Sequence, residues 1–464
     1  MFSGINFTRV GPVFFSAGLF LPGREDSFSA RLLPPLLLRR MRRGMRRRPQ
    51  TVKQKHRNFI MYLDDALRQI AEEKTLSFFP LELRQREFQP RPDDLTLDPD
   101  LITSYARFGS VDESSVARML AAVKAAASSE ALSVAVRCVF RSVFLMDRFA
   151  SPWVSFQSVL GDLASPMQLV IASGMVPLVR KWHAEAGIPE EVTRDTCSIL
   201  GITDRTHRKG KGETGIYYPG PLAWMRHYCN PERLYLHFGR FGFMVQKHSL
   251  PVTVYRRRNS PSEFRIFPHE GLRFDSRGFC IDGSPDDPPA AFTSRFRIVN
   301  ASAEGNAVRP DGSTEETLSR IPLSEYELFL GEGTPVLDMH IPAGGSMTPG
   351  AAQDSFRRAK EFYSSLPDSE KRPKAVICSS WIFNPNLPEF LPEDSNLVRL
   401  LRRVHPVPRS SSPTDGLWFI FLHEGEFKTE SAPRDSSLRR AVLDYIASGH
   451  RWRTGGMFLP MDEI

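Results

Sequence analysis

An acid and an imidazole alternate with apolar residues in the segment PVLDMHI at residues 335–341. Because successive side chains of a β-strand point to opposite faces, Asp338 and His340 would share one face of such a strand. An imidazole titrates near neutral pH and can take a proton from a reacting group, and a neighbouring carboxylate can orient the ring. We therefore predict His340 as a catalytic base with Asp338 beside it. The alternative is a structural histidine near a strand end.

A loop with two adjacent glycines follows this strand, and a helix follows the loop. The loop spans residues 342–349, PAGGSMTP, and its glycines let backbone N–H groups turn inward. Apolar residues at helical spacing predict a helix over 349–366. Because the first amides of a helix lack intrahelical partners, loop and helix together would bind an anion. The predicted anion-binding residues are Gly344, Gly345, Ser346, Thr348 and Arg357, the last of which can equally be a solvated helix arginine.

Further strands and helices must hold these residues in place. An apolar segment at 374–383 predicts a second strand, 391–404 a helix, 417–427 a third strand and 436–450 another helix. The chain ends with the apolar segment GGMFLP. From residue 58 to about 228 the signals are helical instead. Two domains of ordinary size are therefore expected.

Several sequence segments of this chain resemble those of a known family. They are LHFGRFGFMV (236–245), GLRFDSRGF (271–279), VLDMHIPAGGSMTP (336–349), ICSSWIFNPNL (377–387), LPEDSNLVR (391–399) and RDSSLRRAVLDYIASG (434–449). The chain resembles, over roughly residues 58–464, a bacterial family of acyltransferase-domain proteins. In that family a helical N-acyltransferase N-terminal domain precedes a GNAT-like C-terminal domain.

The resemblance implies the fold class and the domains. The fold class would be α+β/α/β, with a helical N-terminal domain followed by a GNAT-like mixed, largely antiparallel sheet flanked by helices. The domains would be a basic disordered extension at 1–57, the α-helical domain at 58–228 and the GNAT-like acyltransferase domain at 229–464.

The resemblance also implies a function. An acyl-CoA, acetyl-CoA or longer, would donate its acyl group directly to an amine or hydroxyl of a small-molecule acceptor. The donor would lie between strands 335–341 and 374–383, and Ser380 would bind or protonate the thiolate leaving group. However, PAGGSMTP lacks the Arg or Gln that usually leads the GNAT pyrophosphate loop. The alternative is a non-catalytic binding module that keeps the fold without a working cofactor loop.

Positive charge is concentrated at the start of the chain. Residues 1–57 hold 13 Lys/Arg and 2 Asp/Glu, so of the total 61 and 53 the remainder of the chain holds 48 and 51, a net charge of −3. The folded body therefore gives no reason to expect nucleic acid as a partner. We expect 1–57 to be disordered, with a targeting peptide or a basic arm for nucleic acid or a membrane surface as alternatives.

Other patterns exclude some sites. The apolar segments at 11–23 and 32–38 are shorter than the ~20 residues of a membrane span, so none is expected. Five separated cysteines predict a reducing, cytoplasmic compartment without a disulfide framework, and no metal-ligand motif occurs.

GKGETG near residue 210 lacks a preceding strand, so 203–222 is predicted as a linker or surface loop after a helix stop at Gly201. The Pro/Gly-rich stretch 282–320 is predicted to be largely irregular. The oligomeric state is left open.

Overall fold

The computed structural model describes residues 61–464 except for 71, 73–74, 76–78, 80, 85–86, 147–153, 218–219, 286, 368–371 and 424. The extension expected at residues 1–57 lies outside the described residues. The described chain divides into two compact units. The helical unit runs to Phe238 and includes Pro342–Gly344, and the sheet unit comprises Gly239–Ile341 and Gly345–Ile464.

The helical unit is built from capped, amphipathic helices. The Asp98 side chain, for example, accepts hydrogen bonds from the backbone N–H groups of Asp100 and Leu101 at 2.9 and 3.1 Å, and Pro99 begins the helix there. The helices of the described part of this unit are α1 (Leu63–Gln69), α2 (Leu81–Arg84), α3 (Pro99–Phe108), α4 (Glu113–Ala127), α5 (Glu130–Phe144), α6 (Gln157–Leu160), α7 (Ala164–Ser173), α8 (Met175–Ala186), α9 (Glu190–Cys197), α10 (Ile199–Lys211) and α11 (Gly220–Trp224). A short strand, β1 (Leu236–Phe238), ends the unit.

Helix α7 lies at the centre of this unit, because all of its residues except Ser165 are buried. The 30-residue run Gln157–Ala186, which contains α6, α7 and α8, is long enough to span a membrane, and its most apolar 18-residue window has a mean hydropathy of 1.4. Helices α4 and α5 reach a comparable length and hydropathy only when they are taken together, as a pair bent by 120°. Since 72% of the apolar window in Gln157–Ala186 is buried inside the protein, as in a core helix, its composition is weak evidence for a membrane.

Gly201 lies inside α10, so the helix stop predicted there is wrong. A Cβ atom at Gly201 would lie 1.9 Å from the Ser110 carbonyl oxygen, and the Gly201 N–H donates to the Gly109 carbonyl at 2.9 Å. This glycine therefore permits a close backbone contact rather than ending a helix. The helix continues to Lys211 and ends at Gly212, whose φ is 76°, so the first half of the predicted linker is helical.

The sheet unit contains short strands, many of them aromatic and β-branched. Its strands are β2 (Phe241–Lys247), β3 (Val252–Arg257), β4 (Ser260–Pro268), β5 (Arg273–Phe274), β6 (Cys280–Ile281), β7 (Phe292–Thr293), β8 (Phe296–Val299), β9 (Ser302–Val308), β10 (Thr314–Pro322), β11 (Tyr326–Leu330), β12 (Pro335–His340), β13 (Ala375–Ser380), β14 (His405–Val407) and β15 (Gly455–Pro460). Its helices are α12 (Pro349–Ser364), α13 (Leu387–Phe390), α14 (Asn396–Leu401), α15 (Leu417–Phe421) and α16 (Ser437–Ala447).

Five of these strands lie side by side in the order β2-β12-β13-β15-β14. Only the pair β12 and β13 is parallel, and the other neighbouring pairs are antiparallel. A buried apolar cluster lies between this sheet and the three strands β11, β3 and β4, and includes Val336, Ile377 and Phe458 together with Val252 and Val254. The fold class is therefore confirmed as a helical N-terminal region followed by a mixed, mostly antiparallel sheet with flanking helices.

The stretch 282–320 is more regular than predicted. Strands β8, β9 and β10 form a three-stranded antiparallel sheet there. Asn300 and Ala301, at φ of 47° and 53°, connect β8 to β9, and their neighbours Val299 and Ser302 pair directly. Two central residues with positive φ are the geometry of a tight hairpin turn. Because alanine rarely adopts a positive φ, the residue types at 300–301 do not indicate this turn.

The strand predicted at 417–427 is also wrong. Residues Leu417–Phe421 form helix α15, between Gly416 and Leu422, which both have positive φ. The helix packs its apolar side chains against Val442 and Trp452 in a second buried cluster. A short apolar run does not distinguish a strand from a buried helix, and β14 at 405–407 takes the edge position in the sheet instead.

Candidate functional site

An acid and an imidazole lie side by side at the carboxyl end of β12. His340 and Asp338 are 5% and 6% exposed, and His340 Nε2 lies 3.4 Å from Asp338 Oδ2. The alternation along the strand gives both side chains the same face, which they share with the buried Val336. The two predicted residues are thus brought together, in a close approach of the carboxylate to the imidazole that does not have the geometry of a hydrogen bond.

Strands β12 and β13 part beside this pair. Their parallel ladder contains two residue pairs, Leu337 with Val376 and Asp338 with Ile377. Beyond that point the end of β12 pairs with β2, as far as His340, and the end of β13 pairs with β15. The ladder therefore ends before either strand does, which leaves a wedge between the two strand ends where an extended ligand can meet backbone groups.

Ser380 does not share the face of the acid and the imidazole. Because Asp338 pairs with Ile377, the side chains of Ile377 and Ser379 lie on the face of His340, and Ser380 lies on the other face. The Ser380 hydroxyl also accepts a hydrogen bond from the Ile382 N–H at 3.4 Å. The register thus separates Ser380 from the other two predicted catalytic residues and places Ser379 nearer to them.

The loop after β12 has the backbone geometry that its glycines suggested. Gly344 and Gly345 have φ of 68° and 70°, in the left-handed region, and both are exposed, as are Ser346 and Thr348. The Thr348 side chain caps α12 by accepting from the Ala351 N–H at 3.4 Å. Loop amides and the first turn of α12 therefore lie at the protein surface, where they can bind an anion.

Arg240 supplies positive charge beside this loop, a role that was expected of Arg357. A Cβ atom on Gly345 would lie 3.5 Å from Arg240 Nε, and burial lowers the pKa of Arg240 to about 10. Arg357 instead forms ion pairs with Asp354 and Glu361 on its own helix at 2.8 and 2.6 Å, and its side chain is 53% exposed. The contact between Arg240 and Gly345 joins residues about 100 positions apart, so sequence spacing gave no signal of it.

Cysteine and metal chemistry find little support here. All five cysteines are free, and burial raises the pKa of Cys378, on β13, well above its ordinary value. The described residues contain no group of three His, Cys, Asp or Glu side chains that could hold a metal ion. Acid–base chemistry at His340 and Asp338 is what the described site supports best.

Two family descriptions match the chain. An N-acyltransferase N-terminal domain matches residues 100–229, and a GNAT-like C-terminal domain matches residues 235–459. The two matches together cover more than half of the chain. The chain therefore carries an N-acyltransferase N-terminal domain followed by a GNAT-like C-terminal domain, as the sequence resemblance indicated. No match is found among curated proteins.

Solved structures with the same fold are acyltransferases. One is an acyltransferase in complex with decanoyl-CoA and teicoplanin, with 19% identity and a TM-score of 0.55, covering 86% of this chain and 100% of its own. Others are an acyltransferase mutant with octanoyl-CoA (19% identity, TM-score 0.54, 86% and 99% covered) and an acyltransferase with CoA and 10C-teicoplanin (19%, 0.54, 86% and 100%). At this identity the likeness establishes the fold.

Proposed function

We propose that this protein transfers an acyl group from an acyl-CoA to an amine or hydroxyl of a small-molecule acceptor. The observation that carries the proposal is the parting of β12 and β13 beside the buried pair of Asp338 and His340. This arrangement puts the unpaired ends of two strands next to a candidate base, on rigid strands rather than on loops.

The donor would bind along the parted strands, with its pyrophosphate at the loop. The exposed amides around Gly344, Gly345 and Ser346 and the capped start of α12 can bind phosphate oxygens, and Arg240 adds a guanidinium beside Gly345. Arg240 offers a replacement for the Arg or Gln that the loop itself lacks. This favours a working donor site over the non-catalytic module.

The chemistry would be direct transfer. His340 would take a proton from the acceptor's amine or hydroxyl while the nitrogen or oxygen of that acceptor group bonds to the thioester carbonyl carbon. Asp338 would stabilise the imidazolium. Collapse of the tetrahedral intermediate breaks the carbon–sulfur bond, and the proton passes to the CoA thiolate. Acyl-enzyme formation on Cys378 is disfavoured, because burial keeps this thiol protonated.

The solved acyltransferase structures with a similar fold favour a donor whose acyl chain is of medium length. Decanoyl-CoA, octanoyl-CoA and teicoplanin are bound to those proteins, and we propose by analogy a donor of this kind and a small-molecule acceptor here. Five free cysteines are consistent with a reducing compartment, so the cytoplasm is the proposed location.

The test is calorimetric titration of the protein with decanoyl-CoA, followed by mass-spectrometric detection of acyl products with a panel of primary amines. His340→Ala should lower kcat/KM by about 10²- to 10⁴-fold, the usual contribution of a general base, and should leave the Kd for decanoyl-CoA within twofold. Ser380→Ala is the matched control and should change neither quantity by more than a few-fold. Donor binding without turnover on any acceptor would favour the binding module, and the absence of binding to any acyl-CoA would refute the proposal.

A further inference from the structure

A cavity of about 570 Å³ opens on the surface beside helix α15. Its volume lies within the range of about 300–1,000 Å³ that is usual for small-molecule sites. The residues that line it all lie between Phe421 and Pro433, and none of them belongs to β12, β13 or the loop after β12. The cavity is therefore not lined by any residue of the proposed donor site.

Three rings form an apolar wall of this cavity. The ring centroids of Phe421 and Phe427 lie 5.0 Å apart, and the ring centroid of His423 lies 5.1 Å from that of Phe427. Phe421 is 4% exposed and belongs to the buried cluster that includes Val442 and Trp452. Because that cluster holds Phe421 in place, the wall is preformed and can cover an apolar side chain of a ligand.

The hydrogen bond that His423 makes leaves one of its ring nitrogens as an acceptor. His423 Nδ1 lies 3.1 Å from the Gly425 carbonyl oxygen, which can only accept, so Nδ1 carries the proton and Nε2 the lone pair. Nε2 makes no hydrogen bond with the described residues. Burial lowers the pKa of His423, so the ring is neutral at pH 7. This half-buried imidazole, which lines the cavity, can therefore accept a hydrogen bond from a ligand.

Two side chains of opposite charge also line the cavity. Neither the Glu426 carboxylate nor the Lys428 ammonium forms a hydrogen bond or an ion pair with any of the described residues. Other exposed charges of this region are paired, as Arg434 is with Asp444. A ligand that carries both a positive and a negative group would compensate both unpaired charges.

We propose that this cavity binds a zwitterionic α-amino acid with a large apolar side chain. The ammonium of the amino acid would meet Glu426 and His423 Nε2, and its carboxylate would meet Lys428. Its side chain would lie against the rings of Phe421 and Phe427. An anion such as a CoA phosphate fits less well, because the Glu426 carboxylate would repel it. The inference does not depend on the proposed acyl transfer, since this binding requires no donor.

The test is calorimetric titration of the protein with L-tryptophan and with two analogues that each lack one charge. Tryptamine lacks the carboxylate and indole-3-propionate lacks the ammonium. Both should bind about 5- to 20-fold more weakly than L-tryptophan, in line with one charge-assisted contact at a partly exposed site. L-alanine should bind at least about tenfold more weakly, because it leaves the rings of Phe421 and Phe427 uncovered.

Two variants match each charge of the ligand to one side chain. Lys428→Met should bind L-tryptophan about 5- to 20-fold more weakly and should not weaken tryptamine binding, and Glu426→Gln should show the same pattern with indole-3-propionate in place of tryptamine. Both residues are exposed, so neither change disturbs the core. Glu430→Gln is the matched control and should bind as wild type, because Glu430 does not line the cavity and accepts a hydrogen bond from the Thr429 hydroxyl at 3.0 Å.

The other outcomes overturn the inference in distinct ways. No binding of L-tryptophan, or equal binding of L-tryptophan and both analogues, would contradict the site. The Kd for decanoyl-CoA should stay within about twofold of wild type in every variant. A weaker affinity for decanoyl-CoA in Lys428→Met would show that the cavity holds a donor phosphate, which would overturn the inference and leave the proposed acyl transfer intact. Binding of L-tryptophan as expected without any binding of decanoyl-CoA would refute the proposed function alone.

Discussion

Replacing Gly345 by aspartate should weaken donor binding through charge rather than shape. A Cβ atom at this position would meet Arg240 at ordinary contact distances of 3.5 Å to Nε and 3.7 Å to Cζ, so the carboxylate of an aspartate can reach the guanidinium. The carboxylate would form an ion pair with Arg240, so that Arg240 would no longer be available to the donor's pyrophosphate. The carboxylate would also repel the negative charge of the donor's phosphates.

The expected magnitude follows from this one contact. A hydrogen bond to a charged group contributes about 1.5–3 kcal/mol, and each 1.4 kcal/mol is a factor of ten in Kd, so the Kd for decanoyl-CoA should rise about 10- to 150-fold. The φ of Gly345 is 70°, a conformation that asparagine and aspartate both tolerate better than most residues. Gly345→Asn is therefore the matched neutral control and should weaken binding only a few-fold.

Isothermal titration calorimetry of the two variants with decanoyl-CoA, at low and at physiological salt, measures the difference. The ratio of the two Kd values for decanoyl-CoA should fall as the salt concentration rises, because the loop is exposed and its charges are screened. Equal Kd values for the aspartate and asparagine variants would refute an anion site at this loop.

Three further predictions concern charge and stability. Arg240→Gln should raise the Kd for decanoyl-CoA about tenfold or more, whereas Arg357→Gln should not, since Arg357 is paired on its own helix; the same titration checks both. Asp275→Ala leaves Arg453 buried without its carboxylate and should lower the free energy of unfolding by about 3–5 kcal/mol in urea titrations, and an effect below 1 kcal/mol would contradict the buried pair. Burial lowers the pKa of His183 to about 3, so from pH 6.5 downwards the unfolded state binds a proton that the folded state does not, and stability should fall by about 1.4 kcal/mol per pH unit. Between pH 6 and 4 the slope of His183→Asn should be smaller than that of the wild type by about 1.4 kcal/mol per pH unit, and an unchanged slope would contradict the assignment.

The sequence predicted the elements that carry strong periodic patterns. Alternation in 335–341 and the helical repeat of 349–366 correspond to β12 and α12. The predictions of secondary structure were wrong where the local sequence pattern is ambiguous. The run at 417–427 is too short to separate strand from helix, and the turn at Asn300 depends on a positive φ at an alanine.

The candidate site was predictable only within one strand and its loop. Asp338 and His340 are two residues apart, so alternation alone brings them together. Arg240 reaches Gly345 through the fold, and the position of Ser380 depends on the register of β13 against β12. Tertiary register, which a single sequence does not encode locally, set both outcomes.

Hydrogen exchange with and without decanoyl-CoA tests the central claim most directly. If the donor lies between the parted strands, exchange should slow for the amides from Met339 to Ser346 and from Cys378 to Ser380, which the structure places at the wedge and its loop. Protection confined to other segments, such as the helices before Phe238, would contradict a donor site at this sheet.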